Sequence, residues 1–189
     1  MKHLMLSVGL LCAGTFSQAA VVVYGVSLSA EGTSISTGVG SVTVTIDDGA
    51  NTMRVQAVFS GLSGATTVAH IHAPTVVAGS GTAGVATTTP SFAGFPLGVT
   101  AGSMDVTYDM TLTSSFRGGY ITANGNSTAT AFTALKSALD EGKAYFNVHT
   151  QTFPGGEVRG FLTAVPEPST IVLSGAAGAF FALRRRRRA

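Results

Sequence analysis

The chain has 189 residues, which is room for one ordinary domain, and both of its ends carry patterns typical of processing signals. It holds eleven basic and nine acidic side chains, but six of the basic ones, Lys2 and Arg184 to Arg188, lie in those two ends. Between residues 20 and 165, five basic residues face eight acids, which gives a net charge of −3. A mildly acidic body without a basic stripe argues against a nucleic-acid partner.

Residues 1–19 have the pattern of a signal peptide. Lys2 supplies a positive charge, residues 4–16 are mostly apolar, and Ser17-Gln18-Ala19 places small residues where a cleavage site needs them. The apolar run is short for a bilayer span, so a retained N-terminal anchor is only the alternative. The one cysteine, Cys12, lies in this segment. The mature protein is therefore predicted to have no disulfide, no thiolate metal ligand and no cysteine nucleophile.

Residues 165–189 form a second signal with three parts. Pro166-Glu167-Pro168 comes first, residues 169–183 are a mostly apolar run, and the cluster Arg184, Arg185, Arg186, Arg187 and Arg188 follows at once. The run is short for a spanning helix, which needs about 20 residues, and the arginines would stay on the cytoplasmic side. The tail predicts a transient inner-membrane helix with the body of the protein outside. A simple tail anchor is the alternative.

The body, residues 20–164, is rich in Val, Thr, Ser, Gly and Ala and shows the two-residue alternation of half-buried strands. The candidate strands, in chain order, are residues 21–30, 40–46, 52–59, 66–72, 105–112, 143–150 and 157–163. Asp47-Asp48-Gly49 predicts the turn of a hairpin between the second and third of these strands. Residues 73–103 predict a long loop with a short strand near Val85.

Four apolar residues of the body repeat instead at the spacing of a helix: Phe132, Leu135, Ala138 and Leu139. Thr128 or Thr130 can cap the start of this helix, and Gly142 can end it. The pattern predicts a single helix of about ten residues. Together with the strands, it predicts an all-β fold, an antiparallel β-sandwich or barrel with one short helix.

Three histidines in the body are the candidate metal ligands. His70 and His72 flank one residue of a predicted strand, so their side chains point to the same face. His149 lies near the end of a later strand, a short loop before Glu157. Three imidazoles suit copper, zinc or nickel, and copper and zinc are the candidate cofactors here. Glu157 is predicted to be a fourth ligand or an acceptor that orients one of the rings.

Two other interpretations of these residues stay open. In one, the histidines bond to loop backbone and Glu157 pairs with Arg159 on the surface. In the other, the same groups act as a general acid and base. Asn147 and Arg159, on the last two long strands, are assigned supporting roles. No Gly-x-Ser-x-Gly elbow, phosphate loop or dinucleotide fingerprint is present, so no catalytic residue is assigned.

The tail resembles the PEP-CTERM sorting signal. The resemblance rests on Val165-Pro166-Glu167-Pro168-Ser169, on the short apolar run and on the terminal arginine cluster. It implies a Gram-negative-type host, often one that makes exopolysaccharide. It also implies processing of the tail by an exosortase-type protease and delivery to the cell surface or the extracellular matrix.

The body resembles the CHRD domain, which is named from chordin and occurs in many exported bacterial proteins. Ala69-His70-Ile71-His72-Ala73-Pro74 is similar to one signature block of that domain. Residues 146–150 together with 154–160 are similar to the second block, and residues 27–31 to the start of the family. The resemblance covers about residues 22–163. It implies an all-β domain, immunoglobulin-like or superoxide-dismutase-like, and supplies no established activity.

The sequence therefore predicts an exported, surface- or matrix-associated module without enzymatic activity and without an assigned cofactor. Exopolysaccharide and matrix proteins are the candidate partners, besides the sorting protease. The alternative is a copper- or zinc-binding extracellular protein that uses the three histidines, with redox or hydrolytic activity.

Overall fold

The computed structural model describes residues 20–32 and 34–166, which form an antiparallel sheet of eight strands with helices beside it. The strands are β1 Val21–Ala30, β2 Val39–Asp47, β3 Thr52–Ser60, β4 Thr66–His72, β5 Gly102–Asp109, β6 Tyr145–Thr150, β7 Val158–Phe161 and β8 Thr163–Ala164. The helices are α1 Gly118–Ala123 and α2 Thr128–Asp140, and a single 3-10 turn, Thr113–Ser115, precedes α1. The predicted all-β fold class is confirmed.

The predicted processing segments fall outside this description. The signal peptide, residues 1–19, the apolar run, residues 169–183, and the arginine cluster are not among the described residues. Within residues 20–32 and 34–166, no helix combines the length and the apolar character that a membrane crossing requires.

The sheet folds back on itself because β1 belongs to both of its halves. The strand order is β4-β6-β7-β1-β2-β3-β5, with β8 also beside β1. β1 pairs with β2 from Val21 to Leu28, and then its last two residues, Ser29 and Ala30, pair with β7. One long strand thus joins the β2–β3–β5 half to the β4–β6–β7 half, and the result is a half-barrel around one core.

The two-residue alternation of the strands fills that core. Val42, Val44 and Ile46 of β2 are buried, whereas the residues between them remain polar and partly exposed. The apolar face of α2, which carries Phe132 and Leu135, packs into the same core cluster. The Tyr24 hydroxyl of β1 donates a hydrogen bond to the Asp140 carboxylate at 2.5 Å, which ties the end of α2 to the sheet.

The long loop between β4 and β5 covers the free edge of β4. The backbone N–H groups of Ala86 and Phe92 donate to the carbonyls of Ile71 and Ala69, at 2.9 and 3.1 Å. An isolated bridge pairs His72 with Val85, at the point where a short strand was predicted. Because this loop lies over β4 and the core lies beneath it, residues 69–72 are buried on both faces of the strand.

Several boundaries differ from the predictions for local reasons. Ser127, rather than Thr128 or Thr130, caps α2, since its hydroxyl accepts a hydrogen bond from a backbone N–H of the first turn. α1 was not predicted, because it has six residues, begins with two glycines and buries only Tyr120. The last predicted strand is interrupted at Leu162, whose N–H bonds to the Ala144 carbonyl.

Gly160 of β7 lies against β1, and this close contact leaves no room for a side chain. A Cβ atom there would lie 2.4 Å from a methyl group of Val26 and 2.6 Å from the Ser27 carbonyl oxygen. We expect Gly160→Ala to lower the free energy of unfolding by about 1–3 kcal/mol, as overpacking does. Urea denaturation measures this change. Gly155→Ala is the matched control, since nothing lies within 4 Å of its Cβ position; equal losses in both variants would contradict the prediction.

Candidate metal centre

The register of β4 and β6 places the three histidines on one face of the sheet. His70 and His72 are two residues apart in β4, and their side chains therefore share a face. In the antiparallel pair, Val68 lies opposite His149 and His70 lies opposite Asn147. His149 is thus a diagonal neighbour of His70. The ring centroid of His70 lies 5.5 Å from that of His72 and 5.4 Å from that of His149.

Backbone carbonyls of the surrounding loops fix all three imidazoles. In each ring, one nitrogen lies at hydrogen-bond distance from a carbonyl oxygen: His70 Nε2 from Pro90 at 2.5 Å, His72 Nδ1 from Ala83 at 2.9 Å and His149 Nδ1 from Pro154 at 2.8 Å. A carbonyl oxygen can only accept, so this nitrogen carries the proton and the other nitrogen of a neutral ring keeps its lone pair.

The remaining nitrogen of each ring lacks a protein partner. His70 Nδ1, His72 Nε2 and His149 Nε2 are buried and make no hydrogen bond. The three histidines each offer one ligand nitrogen within 4.8 Å of the other two. At a tetrahedral ion, metal–nitrogen bonds of about 2.0–2.1 Å hold two nitrogens about 3.4 Å apart. A separation near the upper limit therefore contracts by more than about an ångström when one ion binds all three.

Burial favours the neutral form of two of the rings, those of His70 and His72. It lowers the pKa of His70 to about 4, against the raising effect of the hydrogen bond to Pro90, and the neighbouring histidines lower it further. Burial likewise lowers the pKa of His72. A neutral imidazole has the free lone pair that a metal ion requires.

An aromatic ring and a guanidinium form one wall of the site. His72 stacks flat on Tyr145, its partner across the strands, with ring centroids 4.8 Å apart and an angle of 4°. The Arg159 guanidinium lies 5.0 Å from the centroid of the same tyrosine ring and donates to the Gly81 carbonyl at 2.9 Å. The Arg159 guanidinium therefore lies behind the tyrosine ring at this wall of the site.

Glu157 lies away from the three histidines, which corrects the prediction that it is a fourth ligand. Its carboxylate accepts hydrogen bonds from the Ser36 hydroxyl and the Ser63 N–H, each at 2.5 Å, and from the Thr150 hydroxyl at 2.6 Å. Thr150 follows His149 in β6, so its side chain points to the opposite face of the strand. Glu157 is fully buried on that opposite side.

The alternative surface pair of Glu157 with Arg159 is wrong as well, since Arg159 pairs with Glu31. The Arg159 guanidinium lies 3.2 Å from Glu31 Oε1, and the Glu31 side chain is 12% exposed. Burial raises the pKa of the Glu31 carboxyl, and the charge of Arg159, the Asn147 amide and the His149 ring act in the opposite direction. Glu31 follows the end of β1, and its N–H donates to the Glu157 carbonyl at 2.9 Å.

The sequence pattern predicted no role for Glu31, although one signal for it exists. Gly156 ends the loop between β6 and β7, and a Cβ atom there would lie 1.8 Å from Glu31 Oε2. A glycine just before the start of a strand indicates a close approach by another group. The identity of that group becomes clear only once β1 is known to pair with β7.

Two family models match the chain, one over the body and one over the tail. The CHRD domain model matches residues 23–162 and the PEP-CTERM protein-sorting motif matches residues 164–188. The chain belongs to the CHRD-domain family. Both predicted resemblances are confirmed. No curated protein and no solved structure matches the chain.

The sorting motif follows the CHRD domain without a linker. β8 pairs with β1, and the Val165 N–H donates to the Val23 carbonyl at 2.8 Å. The ordered fold thus reaches the residue before Pro166. PEP-CTERM motifs mark exported proteins that are sorted to the cell surface of Gram-negative bacteria and processed at the C-terminus by an exosortase.

The buried Glu157 carboxylate is expected to give the CHRD domain a pH-dependent stability. Burial alone would raise its pKa, but the hydrogen bonds from Ser36, Ser63 and Thr150 outweigh burial and hold the pKa below the ordinary value. Because the pKa is lower in the folded state, the ionised carboxylate stabilises the fold above the unfolded-state pKa of about 4.3. This stabilisation is lost as the pH falls through the folded-state pKa.

We expect Glu157→Gln to lower the free energy of unfolding at pH 7 by about 1.5–3 kcal/mol, the range for hydrogen bonds to a charged group. The difference from the wild type should shrink once the pH falls below about 4. Urea denaturation at several pH values measures both effects. Glu141→Gln, at an exposed carboxylate, should leave the midpoint unchanged. A difference that stays constant down to pH 3 would mean that ionisation of Glu157 does not stabilise the fold.

Proposed function

We propose that this CHRD domain is an exported metal-binding module in which His70, His72 and His149 hold one copper or zinc ion. Two observations carry the proposal: each of the three rings has one buried nitrogen without a partner, and each offers a ligand nitrogen within 4.8 Å of the other two. The other nitrogen of every ring is held by a backbone carbonyl, which is the arrangement that orients histidine ligands in metal sites.

A purely structural role explains only half of this arrangement. Hydrogen bonds to Pro90, Ala83 and Pro154 account for one nitrogen of each ring. A buried acceptor without a partner costs about 1–3 kcal/mol, and the three free nitrogens carry that cost together. A single cation would bind all three nitrogens at once. Histidines that only hold loops in place would not need a cation.

The ligand set favours copper or zinc. Imidazole nitrogens suit both metals, and no cysteine lies between residues 20 and 166 to add a thiolate. Three histidines leave one coordination position open, as in zinc sites that bind an exogenous ligand. An open position supports redox or hydrolytic activity at the metal. Metal binding alone requires neither of these activities.

A second candidate function rests on a different part of the surface. The outer face of β2, β3 and β5 has a shallow depression lined mainly by polar side chains: Ser41, Thr43, Gln56, Ser103 and Asp105. Hydroxyl, amide and carboxylate groups can hydrogen-bond to a matrix polysaccharide or protein. The lining contains no aromatic ring on which a sugar could stack. The histidine cluster therefore carries the stronger proposal, and the two functions are compatible.

We expect the purified protein to bind one equivalent of copper(II) or zinc, measured by metal analysis and isothermal titration calorimetry. His70→Ala and His149→Ala should abolish stoichiometric binding, because each removes one of three ligands. Glu157→Gln is the control, since its carboxylate bonds to Ser36 and Thr150 instead. Absence of bound metal in the wild type, with no rise in thermal stability on adding either metal, would overturn the proposal.

We also propose that the mature protein loses its C-terminal tail and is retained at the cell surface or in the matrix. Mass spectrometry of the cell, membrane and medium fractions should find a C-terminus upstream of the apolar run. Replacing Pro166-Glu167-Pro168 by alanines should leave the tail uncleaved, whereas Ser169→Ala should be processed as the wild type is. Mature protein that still ends at Ala189 would contradict this prediction.

A further inference from the structure

Buried polar atoms without partners are concentrated in one neighbourhood of the described structure. Six such side-chain atoms occur in residues 20–32 and 34–166, and one of them, the Tyr120 hydroxyl, lies in α1. The other five are the three histidine nitrogens, Glu31 Oε2 and Asn147 Oδ1. All five atoms carry a lone pair and can accept a hydrogen bond. The neighbourhood therefore has more acceptors than its hydrogen-bond donors satisfy.

Glu31 and Asn147 meet beside the histidine cluster. Asn147 lies opposite His70 in β4 and opposite Arg159 in β7, so it separates the cluster from the ion pair. A Cβ atom on Gly156 would lie 1.8 Å from Glu31 Oε2 and 2.8 Å from Asn147 Nδ2, which places both side chains against the same backbone atom.

The same loop connects Glu31 to the third histidine. Gly156 closes the loop whose Pro154 carbonyl holds the His149 ring at 2.8 Å. Arg159 lies 3.2 Å from Glu31 Oε1 and leaves Oε2 without a partner. One carboxylate oxygen is thus fixed by the guanidinium, and the other lies beside the Asn147 amide against the backbone of Gly156.

A metal ion on the three histidines would satisfy the nitrogens but not the two oxygens. We propose that Glu31 Oε2 and Asn147 Oδ1 accept the two hydrogens of a water molecule that fills the open coordination position. Glu31 is then a positioning residue whose negative charge keeps anions out of that position. This inference rests on the proposed metal site and names the class of its exogenous ligand, which is a neutral hydrogen-bond donor.

Azide binding to the copper(II)-loaded protein tests the inference. Glu31→Gln removes the negative charge and keeps the shape of the side chain, so azide should bind about tenfold more tightly than in the wild type. Titration followed by visible absorption measures the affinity. Asn147→Asp adds a charge at the same place and should weaken azide binding. Glu141→Gln, a carboxylate-to-amide change on the exposed end of α2, should leave the affinity unchanged.

The outcomes separate this inference from the proposed function. Stoichiometric copper in Glu31→Gln, together with tighter azide binding, supports the inference. Azide affinity unchanged within twofold, in a variant that binds copper and unfolds at the wild-type temperature, overturns it and leaves the metal site intact. Loss of copper from Glu31→Gln alone would make Glu31 a metal ligand, and it would also overturn the water-positioning role. A wild type that binds no copper or zinc would overturn both proposals.

Discussion

The antiparallel register between β4 and β6 determines where every group of the candidate metal centre lies. It sets His70 opposite Asn147 and Val68 opposite His149, so alternate residues of both strands share the face that the loops cover. A shift by one residue would turn His149 into the core and bring Val148 to the site, because side chains alternate with a period of two. The buried residues Ile71 and Phe146, which face the core from the same two strands, make such a shift costly. Core packing on one face of the β4–β6 pair thus determines which side chains lie on the other face.

The loops complete the site by removing water from it. The segment after β4 supplies the Ala83 and Pro90 carbonyls, and the turn after β6 supplies the Pro154 carbonyl. These contacts fix the tautomer of each ring and also bury its second nitrogen. Burying those nitrogens without partners costs free energy that an apolar filling would not cost, and the proposed ligand would offset it. The stabilisation that a bound ion adds to the fold depends on its concentration relative to its dissociation constant.

The local pattern of apolar and polar residues was sufficient to predict the strands. It was insufficient to predict the position of side chains whose partners are distant in the sequence. The spacing of His70 and His72 places them on one face without any knowledge of the fold. Glu157 shows the limit, because Gly155 and Gly156 interrupt the alternation between β6 and β7 and turn its carboxylate towards Ser36 and Thr150.

Glu31 reaches the site only through the pairing of β1 with β7, across more than a hundred residues. α1 lacks the repeat of apolar residues from which a helix could be predicted.

β1 also relates the sorting motif to the site. Its first half lies beside β8 and Val165, directly before the PEP-CTERM tripeptide, and its far end leads into Glu31. An extended strand advances about 3.3 Å per residue, so the stretch from Val23 to Glu31 covers about 26 Å along the strand. The tail is therefore attached at one end of β1, and the ion pair of Glu31 with Arg159 lies at the other. Because processing acts on the tail, at the other end of β1 from Glu31, we expect removal of the sorting signal to leave the three histidine rings and their carbonyl partners unchanged.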